Sequence, residues 1–542
     1  MFKSIYFSGM LKSRCLYPLL LALILCSGFL VNPAFAARTF PDQARNVVEG
    51  WMTLNGTHLG ADLSARSVGR AEAYPRHGDP LYFVVYLREN GQQKGFVVVA
   101  GEDRIEPIIG FFPEAREYDP STANPAGALV QRDLEGRMQR VLAQSENRTA
   151  DPEGPEELSA HSRKWDYLAS VEPGMRYSGV SSIDDVWISP LVESRWSQGD
   201  DGGDLCYNYH TPNHYVCGCV ATAMAQLMRY HTHPADGVGT PTFDIKVDGT
   251  SQTANLRGGD GAGGAYGWGD MVLDPGAGLT DAQRQAIGAL THDAGVAVRM
   301  SYAAGGSGAW LGYSDQEFVN TFGYGNSVYS YDFESATGFD DPSLNQMINP
   351  NLDAGYPVLL GIDAEGGGGH AIVCDGYGYE LASMYHHLNL GWGGYEDAWY
   401  NLPDVAAGGY TFYAVSDLVY NVFVSGSGEI ISGRVTDESG SPISGASVTA
   451  ARAGGGSYSD STDANGIYAL AKIPADADYT ISVSKDGYTF SSSAAESTGT
   501  SESSSTGNVW GVDFTGSEGD APPPEPSEPM PTLAPLYQLL LQ

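Results

Sequence analysis

The stretch Cys217-Gly-Cys219-Val-Ala-Thr-Ala-Met-Ala-Gln-Leu-Met-Arg-Tyr230 constrains this chain more than any other. Val220, Ala223, Met224, Leu227 and Met228 fall at i, i+3, i+4, i+7 and i+8, which makes one apolar face of an amphipathic helix. Ala221, Ala223 and Ala225 allow close packing, and Pro234 stops the helix a turn later. Gly218 frees the turn that leads in, so the spacing predicts Cys219 in the first helical turn. There the unpaired backbone N–H groups and the positive end of the helix dipole favour thiolate over thiol, which makes a strong nucleophile near neutral pH. A buried or disulfide-bonded cysteine that starts a helix reads the same on this stretch alone, so a nucleophile also requires a base elsewhere.

Gly366-Gly-Gly-Gly-His370-Ala-Ile-Val-Cys-Asp-Gly376 offers that base. Four glycines lead into a short strand that opens with His370, leaving the imidazole open to a substrate and letting backbone pass close to it. A third element follows in Tyr385-His-His-Leu-Asn389-Leu-Gly-Trp392-Gly-Gly394. Residues 358–362, 371–373 and 385–390 read as successive antiparallel strands, which makes His370 and Asn389 candidate neighbours across a sheet. An asparagine amide that holds one ring nitrogen turns the other toward the sulfur, as in a Cys-His-Asn arrangement. Trp392, in a glycine turn, is a candidate cover for that pair, or simply core packing.

At 542 residues, three or more folded units are expected. Residues 1–36 read as a signal peptide: Lys3, Lys12 and Arg14 precede the apolar run 16–31, and Ala34-Phe35-Ala36 offers a cleavage site. The expected location is secreted or at the cell surface, with no later run near the ~20 apolar residues of a membrane helix. Residues 37–145 read as a helix followed by strands, with 81–87 and 96–100 as a hairpin, and 146–181 as a polar, Pro-bearing linker exposed to proteases. Most Trp and His fall in 182–425. Evenly spaced short β-runs in 427–516 predict a β-sandwich, and 517–542 a Pro-rich extended tail. With 29 Lys+Arg against 65 Asp+Glu, the surface repels phosphate backbones and anionic lipid, so nucleic acid is not an expected partner.

Four motifs in this order resemble the streptopain-like cysteine peptidases, a bacterial family with a papain-like fold. They are Pro190-Leu191 with Trp196-Ser-Gln198, Gly218-Cys-Val-Ala-Thr-Ala-Met-Ala-Gln226, Gly369-His-Ala371 and Asn389-Leu-Gly-Trp-Gly-Gly394. Upstream, Gly95-Phe-Val-Val-Val-Ala-Gly-Glu-Asp-Arg104 and Pro107-Ile-Ile-Gly110 look like the family's inhibitory propeptide. The resemblance implies an α+β peptidase domain, with a helical part carrying the nucleophile and an antiparallel sheet carrying the histidine. An α+β propeptide domain precedes it and acts as an intramolecular inhibitor. It further implies Cys219 as nucleophile, His370 as base and then acid, Gln198 as an oxyanion-hole donor, and Asn389 with Trp392 supporting the histidine. Tyr302-Ala-Ala-Gly-Gly-Ser-Gly-Ala309 looks like the family's substrate-side loop, which makes Ser307 and Gly369 candidate peptide contacts. The substrates implied are proteins and peptides, and no cofactor or metal is expected. Two departures stand out: Leu390 where the family usually has Trp, and Asp204-Leu-Cys-Tyr-Asn208 where Pro-Tyr-Asn is more usual.

Two other readings compete. Cys206, His210, His214 and Cys217 put soft ligands in one loop, but at a spacing no usual zinc site has; a Cys206–Cys217 disulfide and free thiols are the alternatives. Gly433-Arg-Val-Thr-Asp437, Pro442-Ile-Ser-Gly-Ala446 and Asp463-Ala-Asn-Gly-Ile-Tyr468 resemble carboxypeptidase-regulatory-like modules, which are more often spacers or surface binders than catalysts. A binding protein with an inactive peptidase unit is therefore the alternative function. The complete Cys, His, Asn and Gln set weighs against it, since a binder has no need of it.

Overall fold

A computed structural model of the chain describes residues 38–75, 78–147, 156–171, 185–276, 278–331, 341–364, 368–402, 414–490 and 493–519. The expected signal peptide, residues 148–155 and 172–184 of the expected linker, and 520–542 of the tail lie outside the described residues.

In the N-terminal region the helix Pro41–Leu54 buries Ala44, Val47, Val48 and Trp51 against a run of antiparallel strands. The expected hairpin is Tyr82–Glu89 with Gln92–Ala100, joined by Asn90 (φ 51°) and Gly91 (φ 80°). Positive φ at both central residues is the type I′ geometry whose twist matches its flanking strands, and Asn-Gly is its strongest sequence signal. The next strand, Ile108–Phe112, pairs on its far side with Ala398–Tyr400, Trp399 opposite Phe111 and Tyr400 opposite Gly110. A Cβ on Gly110 would come within 2.7 Å of the Tyr400 ring, so this junction needs glycine. Through it one 11-stranded antiparallel sheet runs from the N-terminal region into the expected peptidase region.

The peptidase part of that sheet contains Val358–Ala364, Gly368–Glu380 and Ser383–Asn389 as successive antiparallel strands, as the sequence predicts. The helix Cys219–His231 packs on it: Val220, Met224 and Leu227 share a core with Ala371 and Val373 of the central strand and with Ile287, Leu290 and Ala294 of the helix Asp281–Ala297. The architecture is thus α+β, with the candidate nucleophile on a helix and the candidate base on the sheet.

Residues 429–518 form the expected β-sandwich from two four-stranded sheets. It is fastened to the peptidase region rather than tethered. Arg434 pairs with Asp185 at 2.9 Å and lies over the Trp187 ring, Ser432 donates to Asp353 at 2.7 Å, and Tyr331 N–H donates to the Ser503 carbonyl at 2.7 Å.

The expected linker requires correction. Residues Glu156–Ala169 form a helix that docks on the N-terminal region, with Trp165 Nε1 donating to the Ile105 carbonyl at 2.9 Å and Lys164 paired to Glu106 at 2.5 Å. A buried indole and a covered ion pair outweigh the polar composition that suggested an open segment. Before it, Pro125–Asn147 forms a 23-residue helix. Among the described residues, no helix is long and apolar enough to cross a membrane.

Candidate active site

Cys219 is the first residue of its helix, after Gly218 at φ 90°. A Cβ on Gly218 would meet the Met300 sulfur at 2.8 Å and the Ser307 carbonyl at 3.0 Å, so the 301–308 loop presses directly on the turn before Cys219. The N–H groups of Ala371, Val220 and Cys219 face the sulfur and favour the thiolate, but burial outweighs them and holds the thiol above its ordinary pKa. Burial and these N–H groups thus act on the sulfur in opposite directions in this form of the chain.

The Ala371 contact puts Cys219 beside the residue that follows His370. The His370 ring does not bond the sulfur; its Nε2–H donates to the backbone carbonyl of Thr122, in the N-terminal region, at 3.1 Å. A carbonyl only accepts, so Nε2 carries the proton and an N-terminal segment sets the ring's orientation. Burial lowers the His370 pKa, and the bond to Thr122 opposes it.

The expected Asn389–His370 bond is not formed. Asn389 pairs across the sheet with Val373, three residues along the strand from His370, which itself pairs with Ile362. The buried Asn389 amide donates to the Ser194 carbonyl at 2.8 Å and accepts from Gln226 Nε2 at 3.0 Å and Gly391 N–H at 3.1 Å. Gln226 also accepts from Trp196 N–H at 3.2 Å, so the Asn389–Gln226 pair ties the cysteine helix to the 194–196 segment and the glycine turn. A lone amide inside the apolar run 220–228 was the signal for Gln226.

Gln198 accepts from Cys217 N–H through its carbonyl at 2.8 Å, which fixes it beside the start of the helix; its side-chain amide makes no hydrogen bond among the described residues. Ser307 Oγ is buried with no hydrogen-bond partner among the described residues, and Gly369 is exposed at the start of the His370 strand. Trp392 is 37% exposed, so in this form it is neither core packing nor a closed cover.

Cys206, Cys217 and Cys374 are free and buried, so the disulfide alternative is not formed. Cys217 Sγ lies 3.2 Å from Thr222 Oγ1. Among the described residues no three His, Cys, Asp or Glu side chains gather as a metal set would require.

The N-terminal region grips the site at further points. Asn124 Nδ2 donates to both oxygens of Glu396, at 2.8 and 2.9 Å. Tyr400 OH donates to Asp133 at 2.6 Å, while Arg137 reaches Asn401 Oδ1 at 3.0 Å and the Asn401 carbonyl at 2.6 Å. His58 bonds Glu380, which also accepts from Trp51 Nε1 at 2.8 Å. None of these partners was legible as a site in the sequence.

Residues 196–400 match the model of the Peptidase C10 family. The chain carries a C10 peptidase domain. Residues 36–138 match the Spi protease inhibitor model and 430–506 the carboxypeptidase regulatory-like domain. Streptopain of Streptococcus pyogenes serotype M28 is 25% identical over 408 residues, spanning 71% of this chain and 90% of streptopain. Thiol protease/hemagglutinin PrtT of Porphyromonas gingivalis is 29% identical over 321 residues, spanning 58% of this chain and 33% of that protein. A prointerpain A fragment of Prevotella intermedia aligns with a TM-score of 0.46 at 21% identity, over 66% of this chain and 99% of the fragment. The C10 chain is a cysteine peptidase made as a zymogen, and its inhibitor domain is the region whose Thr122 holds His370.

Proposed function

We propose that this C10 zymogen is an exported endopeptidase in which Cys219 is the nucleophile and His370 the general base and then acid. The observation that carries the reading is Cys219 at a helix start, its sulfur facing the N–H of Ala371, with His370 next along that strand and diverted onto Thr122. Once the propeptide leaves, the imidazole loses the Thr122 bond and is free to turn toward the sulfur. His370 then takes the thiol proton while sulfur attacks the peptide carbonyl carbon. The Gln198 amide and the Cys219 N–H receive the oxyanion, and His370 returns the proton to the leaving amine. Water, deprotonated by His370, splits the thioester and regenerates the thiol. Asn389 acts through the Gln226 network as a structural support of the cleft. Export is supported by the signal-like residues 1–36, and 148–155 and 172–184 flank the docked helix as candidate activation cuts.

Comparing the masses of wild-type and Cys219→Ala chains after expression tests the reading. Wild type is expected to lose its propeptide while the variant stays whole; equal processing would assign the cut to another protease and remove self-activation. Gln198→Ala is expected to lower kcat by about 10²–10³, with a smaller change in KM, because the donor is needed only when the oxyanion forms.

Propeptide docking should also follow pH. Burial in the zymogen pushes Glu396 up to about 7, with the Asn124 bond opposing the rise and Asp119 and Asp397 adding to it. The docked carboxyl thus holds a proton that a free one, with an ordinary pKa of 4.5, would release. This contribution is full below the ordinary value and lost as pH rises through about 7. The lowered pKa of His370 acts oppositely, weakening docking as pH falls below its ordinary value of 6.5. In the Cys219→Ala chain, hydrogen exchange at residues 122–124 should quicken as pH rises through neutrality beyond the intrinsic increase. Glu396→Gln should remove that excess.

A further inference from the structure

The turn after Asn389 carries two aromatic side chains in solvent and a carboxylate that the proposed chemistry does not use. Trp392 is 37% and Tyr395 59% exposed, and the Tyr395 ring lies over Gly393. Glu396 has no cationic partner among the described residues. The nearby Arg195 packs its stem under Gly394 and pairs weakly with Asp274 at 3.9 Å. In the zymogen a propeptide side chain fills the place of a cation: Asn124 gives its amide to both Glu396 oxygens.

Asn124 lies two residues from Thr122, whose carbonyl rests on His370. Two residues span at most about 7 Å of extended chain. A peptide running past His370 as the propeptide does therefore brings a side chain within reach of Glu396. A carboxylate in the same turn as two exposed aromatic side chains suits a lysine or arginine side chain, which can donate a charge-assisted hydrogen bond to the one and take ring contact from the others. Resting on the proposed role of Cys219 and His370, we infer that Glu396, with Trp392 and Tyr395, forms a subsite for a cationic substrate side chain within two residues of the scissile bond. The propeptide occupies it with a neutral amide, which satisfies the carboxylate without the full attraction of a charge and suits a segment that has to leave.

The test uses processed wild-type enzyme and quenched-fluorescent peptides that differ only in one residue, Arg, Lys, Ala or Glu, scanned over three positions on each side of the bond. At one position within two residues of the bond, kcat/KM for Arg and Lys should exceed that for Ala by about tenfold, with Glu below Ala. Added salt should erode that ratio. Glu396→Gln should bring the Arg-to-Ala ratio toward one, and Glu396→Arg should favour the Glu peptide. Equal rates for all four residues at every position, or an Arg-to-Ala ratio unchanged in Glu396→Gln, would overturn the subsite. Hydrolysis of the Ala peptide by the Cys219→Ala protein would overturn the catalytic reading instead, and that outcome is separate from any charge preference.

Discussion

Cys219→Ala is expected to abolish peptide hydrolysis, with kcat falling by about a million-fold, the scale seen when the nucleophile of such a unit is removed. Among the described residues no other thiol is placed to substitute. Cys206, Cys217 and Cys374 are buried, and burial pushes the first two up to about 12 and the third well above its ordinary range. A thiol that stays protonated and covered neither attacks a carbonyl nor meets a substrate. Cys219 alone combines a helix start, facing N–H groups and partial exposure. Burial raises its own pKa in the zymogen, so the fall in activity is to be measured on processed enzyme. Turnover of a small peptide, set against a Cys219→Ala chain cut with added protease, isolates the chemical step from processing. Residual turnover near wild type would exclude Cys219 as nucleophile.

Arg137→Ala is expected to unlatch the propeptide. Arg137 and Asp133 sit one turn apart on the helix Pro125–Asn147, joined at 2.7 Å, and together they hold Tyr400 and Asn401 of the peptidase region. The Asp133 carboxylate is fully buried, and the guanidinium opposes the rise in pKa that burial causes. Removing the cation leaves a buried charge facing the peptidase strand, a loss of about 3–5 kcal/mol in comparable pairs. If most of that falls on docking, inhibition weakens by about 10²–10³. Arg137→Lys keeps the charge but loses the fork that reaches both Asn401 groups, so it should fall between. The freshly purified precursor should then cleave a small peptide before any cut is visible by mass, and the Trp399 and Tyr400 amides should exchange faster. A precursor as silent as wild type would show that latency does not depend on the Arg137 contacts.

Much of this was legible in the sequence because apolar periodicity survives without tertiary knowledge. The i, i+3, i+4 face of 220–228 fixed both the helix and the place of Cys219, and the alternation in 358–390 fixed three antiparallel strands. Register was not legible. Asn389 falls opposite Val373, three residues along the strand from His370, and the bulge between Cys374 and Gly376 that moves this pairing by one residue leaves no periodic trace. The helix Glu156–Ala169 was hidden because Trp165 and Lys164 draw their support from Ile105 and Glu106, some sixty residues away in sequence. The Thr122 contact uses a backbone carbonyl, which any residue could supply. Glu396 looked like one more surface acid in a chain with 65 Asp+Glu.

Labelling with an epoxide-type thiol inhibitor, followed by mass mapping of the precursor and the processed enzyme, decides whether Cys219 and His370 act together. Cys219 should be modified rapidly and alone after the propeptide is lost, slowly or not at all before, and hardly at all in His370→Ala. A processed, active enzyme whose Cys219 stays unlabelled while inhibition proceeds at another residue would contradict the assignment.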